Sequence, residues 1–483
     1  MNRVDELQTI LDIGIALSAE KDRNKLFDMI ISRSMSITNC DAGTLYRYKN
    51  DKLEFRVMKT LSMQVSKGEN GEKIDLPPVE MREENICAYS AIHRETLNIE
   101  NVREDNRFDF SGPRRYDEIT GYHTVSMMVV PLINDEDEVV GVLQLINALD
   151  TDGRVKAFDP YQEKLVYALG SLTAIAVSNM RYQEELKEQM WSFTEAMAAA
   201  IDERTPYNAS HTRHVAEYCG MIADYTNELH EKGVEEEYFT PNRREQLVMG
   251  AFLHDIGKMA VPLAVMNKST RLDGREKEIN ARLEMFGLRA KICLLEEKTD
   301  QAWYDDISRK LDDAKQIVER VNGAGFVDEE TREQLKKALE YSFSEPGEKA
   351  QPFFTEEEKE CLSIVKGTLT DQERRKMESH VEITERILSK VHFNKYFANS
   401  PVFAAQHHEC LNGKGYPRGL TADQLCTESR IMAVADICDA LLATDRPYKK
   451  PMAREDAFRI MRDMAKAGNI DSKYVEYLYE CTK

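Results

Sequence analysis

No apolar stretch in the 483 residues approaches a membrane span. The longest, SMMVVPLI (126–133) and LTAIAV (172–177), fall far short of the roughly 20 residues a spanning helix needs. The opening MNRVDELQTI carries acids and no apolar core, so no secretory leader and no membrane contact are expected. Nine cysteines are scattered without any Cys-x-x-Cys spacing, and their odd number argues against a disulfide framework; reduced thiols of a cytoplasmic protein are expected. Positive charge is in deficit, at a net −20. That argues against nucleic acid as a partner, because binding it takes a basic face. A small anionic substrate remains open, since local cations or metals override a global field. Internal repeats and low-complexity tracts are also absent. The length still exceeds what one core supports, so two or three domains are expected.

What is present changes character along the chain. Apolar Leu7, Ile10, Leu11, Leu17, Leu26, Met29 and Ile30 recur at helical spacing, predicting helix over residues 4–37. From Ala42 the pattern shifts to β-branched and aromatic runs, AGTLYRY, KLEFRVMK, TVSMMVVPL and EVVGVLQLIN, separated by turn signals. These predict a sheet flanked by helices. A single helical pattern then spans 160–204. Within it Leu172, Ala176, Asn179, Gln183, Leu186, Met190, Phe193, Met197 and Ala200 alternate by four and three residues, the spacing of a coiled-coil seam. A parallel homodimer is expected from it. Beyond Arg204 the chain reads as almost wholly helical, with capping boxes at Thr370/Glu373, opening a helix expected to carry His380, and at Thr355/Glu358.

Only ten histidines occur, yet His407 and His408 stand side by side before Glu409 and the glycine-rich NGKGYP (412–417). Alone, this is compatible with a plain loop or with two metal ligands feeding a substrate loop. Other candidates are His254-Asp255 in FLHDIGKMAVP, His380 in RKMESHVEI, His211 in ASHTRHVAEY and Asp436 in an apolar helical run. Adjacent helical residues diverge by about 100°, so His254 and Asp255 reach neighbouring points, and two carboxylate oxygens can bridge two ions. Imidazole with carboxylate suits Fe, Mn, Ni or Zn rather than Ca. His214, His230 and His392 read as ordinary surface or core residues.

Taken in order, HDIGK, HHE with GKGYP, and ADICDAL…RPYK resemble the HD-GYP subgroup of HD-domain phosphohydrolases, over about 190–271 and 367–483. The resemblance implies an all-α domain that hydrolyses cyclic di-GMP at a metal centre. It implies one ion held by His211, His254, Asp255 and Asp436, with Asp255 bridging to a second held by His380, His407 and His408. Lys258, catalytic together with Asp255, would lie beside the scissile phosphate. Gly413, Gly415, Tyr416 and Pro417 would frame substrate, and Arg446 and Lys449 would make outer phosphate contacts. Tyr207 stands where three-metal members carry glutamate, so two divalent transition metal ions, Fe or Mn, are expected. Val381 and Thr384 depart from the usual Pro and Gly after His380, as do Asn208 and Ser210 near His211. Residues 272–366 interrupt the pattern as an insertion, read as helices at about 275–321, 328–343 and 355–366. A helical pair or lid beside the site is expected, with partner binding or regulation as the alternative.

The stretch LNIENVREDNRFDFSGPRRYDEITGYHTVSMMVVPLINDEDEVVGVLQLINA is similar to the GAF domains of cyclic-nucleotide phosphodiesterases, over about 4–180. The family's Asn-Lys…Phe-x-x-x-Asp-Glu appears as Asn147-Ala148…Phe158-x-x-x-Gln162-Glu163, so a Lys–Asp salt bridge is lost as a pair. Asp105, Asn106, Arg107, Phe108, Thr120, Tyr122 and Thr124 are candidates to line a small-molecule pocket, with plain loop and turn residues as the alternative.

The expected architecture is therefore multidomain: an α+β GAF domain (1–180), a linking coiled-coil helix (160–204) and an all-α HD-GYP domain (190–483) with a helical insertion (272–366). The expected activity is cyclic di-GMP hydrolysis, to pGpG or GMP, regulated by the GAF domain. The alternatives are hydrolysis of another cyclic dinucleotide and a catalytically silent effector.

Overall fold

The computed structural model describes residues 14–16, 22–68, 74–204, 210–443 and 452–483. Tyr207, Asn208, Arg446, Lys449 and most of the first expected helix before Asp22 lie outside these. The described chain forms two compact units that meet between Gln189 and Met190.

In the first unit, period-two alternation builds one antiparallel sheet. Its strands are β1 (Cys40–Lys49), β2 (Lys52–Thr60), β3 (Val65–Lys67), β4 (Val79–Glu80), β5 (Leu97–Ile99), β6 (Met127–Ile133), β7 (Val139–Leu149) and β8 (Val155–Lys156). The order is β3-β2-β1-β7-β6-β5, with β4 on β2 and β8 on β7. Successive side chains point to opposite faces. Met128, Val130 and Leu132 pack with the helix Arg23–Thr38 and the start of the helix Pro160–Arg204. Met127 and Val129 pack the other way, with Ile86, Cys87 and Ala91 of the helix Ile86–His93. The four long strands lie where the alternation predicts them. The four short ones carry too few residues for any period to register, and pairing alone defines them.

The Asn147 side chain accepts from the Val125 N–H (2.8 Å) and donates to the His123 carbonyl (2.7 Å). Gln162 donates to the Thr38 carbonyl (3.1 Å), so this motif clasps the ends of the fold without its Lys–Asp pair. The candidate pocket residues are largely engaged with one another or their neighbours: Arg107 pairs with Asp105 (2.6 Å), Thr124 with Asp117 (2.8 Å) and Tyr122 with Asn147 (3.1 Å).

The helix Pro160–Arg204 runs 45 residues without a break. Its last turns belong to the second unit. There Trp191 meets Phe252 and Phe397 edge to face, at 5.9 and 6.0 Å, and Ile201 joins Met249, Leu253, Ile256 and Leu388. Around this the helices His211–Glu231, Pro241–Leu253, Thr427–Leu442, Arg454–Lys466 and Ser472–Cys481 enclose an apolar core including Val215, Ile222, Leu247, Ile431 and Phe458. No helix among the described residues is long and apolar enough to cross a membrane.

The insertion forms a lobe with its own core, drawn from residues 272–362. Two expectations are corrected here. The stretch 275–321 is two helices, Glu276–Leu295 and Gln301–Asn322, because Glu297 takes a positive φ of 58° and Asp300 caps the second by accepting from the Trp303 N–H. Residues 342–352 form a hairpin (β9, Ser342–Phe343; β10, Gln351–Pro352) rather than extending a helix. The lobe's helices pack on one another around that core.

Arg271 closes the lobe's neck. Fully buried, it donates to the carbonyls of Val321, Ala324 (2.5 Å) and Ile364 (2.9 Å). Arg271→Leu leaves these acceptors unpaired and is expected to lower stability by about 3 kcal/mol. Denaturant unfolding checks it; a loss under about 0.5 kcal/mol would mean the neck holds without the guanidinium.

Candidate metal centre

Three of the histidines are positioned by one local device. The helix Pro241–Leu253 ends at His254, the helix Asp371–Glu378 just before His380, and the helix Ser400–Ala404 just before His407. A helix end leaves its last carbonyls without intrahelical partners. In each case the imidazole Nδ1 lies against the carbonyl three residues back: Ala251 (2.6 Å), Met377 (2.7 Å) and Ala404 (2.7 Å). A carbonyl only accepts, so Nδ1 carries the proton there and Nε2 is left to face the site. This corrects the expectation that the Thr370 capping box opens the helix bearing His380. The box is present, but its helix ends at Glu378 and His380 opens the next, His380–Leu388.

Asp255, at the junction after His254, directs its two oxygens to different neighbours. Oδ2 lies 3.4 Å from His211 Nε2 and 3.2 Å from His254 Nε2. Oδ1 lies 3.4 Å from His380 Nε2 and 3.9 Å from His407 Nε2. Asp436, on Thr427–Leu442, reaches His211 (3.3 Å) with one oxygen and His408 (3.7 Å) with the other. The candidate ligand atoms of His380, His407 and His408 lie within 4.8 Å of one another, as do those of His211, His254 and Asp436, and those of His254, Asp255 and His407. Lys258 Nζ sits 2.5 Å from Asp255 Oδ2. All seven residues read as metal ligands, with Lys258, are thus brought together.

Electrostatics sort these groups. Burial holds His380 and, more strongly, His407 below the usual imidazole range. Burial also pushes His408 down to about 4, against the pull of Asp436. Burial would lower His211 too, but hydrogen bonds to Asp255, Asp436 and Asp439 outweigh it and raise it to about 11. Burial opposes ionisation of both carboxylates, yet His254, Lys258 and His211 hold Asp255, and His211, His408 and His254 hold Asp436, well below the carboxylate range.

The residues fit metal ions. Two neutral imidazoles, His380 and His407, present Nε2 atoms 3.4 Å apart, a contact between lone pairs that a shared cation relieves. Buried His254 Nε2 and Asp255 Oδ1 have no hydrogen-bond partner, although a polar atom at such depth normally has one. The neutral nitrogen and carboxylate donor set matches a transition metal.

The substrate loop is shaped by close approach. A Cβ on Gly415 would lie 2.3 Å from the Cys410 nitrogen, so only glycine fits. Tyr416 then packs its ring 4.8 Å from His408 and 6.5 Å from His380, and the Tyr416–Pro417 peptide is cis. Gly413, at φ 72°, turns the loop close against Thr421 and Gly419.

Three residues escaped the sequence reading. Asp439 Oδ2 accepts from His211 Nδ1 at 2.6 Å, and Oδ1 from His214 Nδ1 at 2.9 Å. His214, read as ordinary, is therefore tied to the site, and Asp439 fixes the orientation of His211. The available signal was the i, i+3 spacing of both pairs. Glu409, buried, accepts from the Arg418 and Leu420 N–H groups at 2.7 and 2.8 Å and staples the loop. Asp439→Asn is expected to weaken metal affinity about 10–100-fold while leaving the fold intact. A chelator competition checks this; unchanged affinity would reduce Asp439 to a packing role.

A sheet-based unit followed by a helical unit with buried His–Asp groups defines the class. Residues 22–177 match the family model described as GAF domain, and residues 208–338 and 359–474 match two models each described as HD domain. The chain joins a GAF domain to an HD domain. Among curated proteins it is 41% identical over 97 residues to the 3'3'-cGAMP-specific phosphodiesterase 3 of Vibrio cholerae, covering 20% of this chain and 20% of that protein. It is 39% identical over 105 residues to the cyclic di-GMP phosphodiesterase of Thermotoga maritima, covering 20% and 26%. It is 40% identical over 91 residues to the cyclic di-GMP phosphodiesterase response regulator RpfG of Xanthomonas campestris, covering 19% and 24%. These matches span about a fifth to a quarter of each relative's length.

Proposed function

We propose that the chain is a metal-dependent phosphodiesterase that hydrolyses a cyclic dinucleotide, cyclic di-GMP first, under control of its GAF domain. The observation that carries this reading is Asp255, buried, with one oxygen toward each histidine group. His211, His254, Asp255 and Asp436 would hold one divalent ion, and Asp255, His380, His407 and His408 a second, Fe or Mn. Bound there, such ions neutralise phosphoryl oxygens and acidify water near neutral pH. The chain's own residues do the rest. The helix-end carbonyls keep each Nε2 aimed inward, Lys258 supplies positive charge beside Asp255 for a phosphodiester anion, and Tyr416 closes one side of His408. One water adds across one P–O bond to give the linear dinucleotide; a second addition gives two mononucleotides.

Hydrolysis of 3'3'-cGAMP is the second reading, favoured by the relative from Vibrio cholerae with that printed specificity. Turnover of cyclic di-GMP, 3'3'-cGAMP and cyclic di-AMP by the metal-loaded protein tests both. Tight binding of one of them without turnover would leave a silent effector.

We also propose a homodimer through the long helix, whose Leu186 and Phe193 are 59% and 54% exposed in one chain. Glutamate at both positions sets like charges into the seam. The double variant is expected to sediment as a monomer at concentrations where the parent is a dimer; an unchanged dimer would place the contact elsewhere. A small-molecule GAF ligand is part of the proposal. Turnover unaffected by removal of residues 1–185, over a panel of cyclic mononucleotides, would leave that domain without a regulatory role.

A further inference from the structure

The helix Glu276–Leu295 is apolar on two opposite faces, and the fold covers one of them. Ile279, Leu283, Phe286, Ala290 and Cys293 recur by four and three residues and are buried in the lobe. Ala281, Met285, Leu288, Ile292 and Leu295 repeat that pattern two residues later, about 200° around the helix at 100° per residue. Met285 is 45% exposed, Leu288 64%, Ile292 51% and Leu295 73%. One apolar stripe suffices to dock a helix on its own domain. A second, in unbroken heptad spacing, is the pattern of a helix that pairs with another.

Charge selects the occupant. Glu284 and Lys291 lie seven residues apart on one edge of the exposed seam, and neither is engaged in an ion pair with a described residue. The other edge is committed within the chain: Arg289 binds Glu345 (2.6 Å) and Glu348 (3.0 Å), and Glu296 pairs with Lys298 (2.7 Å). Only the first edge has charge left to offer. Two copies of the seam laid antiparallel across a two-fold axis set Met285 against Leu288 of the other copy. They also set Glu284 against Lys291, and symmetry makes that pair twice. A parallel pair would instead offer Glu284 and Lys291 to the edge already committed.

We propose that this face of the insertion is a self-association surface, docking antiparallel on the same face of a second copy of the chain. One helix pair falls below the area of a standard stable interface, so the contact is weak and concentration-dependent.

The test uses the full-length chain carrying Leu186→Glu and Phe193→Glu, which removes pairing through the long helix. Sedimentation equilibrium is expected to show a dimer forming as concentration rises, and Leu288→Asp to abolish it. Glu284→Lys and Lys291→Glu each place two like-charge pairs in the contact, and each is expected to weaken association at least about tenfold. Combining the two reverses both partners and is expected to restore affinity to within about threefold of the parent. A monomer at all concentrations up to about 1 mM would overturn the proposal. A combined variant as weak as the single ones would overturn it equally.

Discussion

Asp255→Ala is expected to abolish phosphodiester turnover, by about 10⁴-fold or more, and to strip the centre of metal. One carboxylate serves both histidine groups, with Oδ2 on the side of His211 and His254 and Oδ1 on the side of His380 and His407. Its removal deprives both sides of an anionic donor at once and leaves Lys258 without its partner. Asp436 also reaches both groups, at His211 (3.3 Å) and His408 (3.7 Å), but it makes no pair with His380 or His407, which face Asp255. Lys258→Ala separates the roles. Its contribution is electrostatic, so metal content should hold while the rate falls about 10²–10³-fold. Elemental analysis beside steady-state kinetics reads both variants. Metal retained in Asp255→Ala, or lost in Lys258→Ala, would reverse the assignment.

Gly257→Ala is expected to cost about 10²-fold in turnover although position 257 carries no chemical group. A Cβ there would lie 1.9 Å from the His380 carbonyl oxygen and 2.7 Å from the Thr384 nitrogen. Both belong to the backbone of His380–Leu388, so the helix as a whole must retreat, and it carries His380. Thr384 marks how tight this junction is: its hydroxyl donates to the His254 carbonyl and accepts from the Gly257 N–H, both at 3.0 Å. Overpacking of this kind also costs about 1–3 kcal/mol of stability. The discriminating measurement is metal competition alongside kinetics. A variant with the parent's metal affinity and rate would show that the helix yields without moving His380.

The parts of this architecture legible in the sequence are those written in local periods. The four long strands, the 45-residue helix and both capping boxes follow from alternation, heptads and side chains three residues apart. The seven candidate ligands were legible as unusual residues in an unusual order. What was not legible depends on tertiary neighbours. Asp439 is one more acid in a helix until the fold sets it against His211 and His214. Glu409 looks like a third member of the histidine pair, yet it binds backbone N–H groups of its own loop. The break at Glu297 carries neither glycine nor proline, so composition gave no stop signal. The carbonyls that orient three histidines are invisible in a string of side-chain letters. They become apparent only once each helix is seen to end beside a histidine.

The helix Pro160–Arg204 has one more consequence. Because the boundary between the units falls inside it, the join has a phase as well as a length. Each residue inserted in its exposed middle advances whatever follows by about 1.5 Å and turns it by about 100°. Seven extra residues bring the two ends almost back into step, while two extra residues set them nearly back to back. If the proposed GAF control runs along this helix, a seven-residue insertion is expected to preserve it and a two-residue insertion to disrupt it.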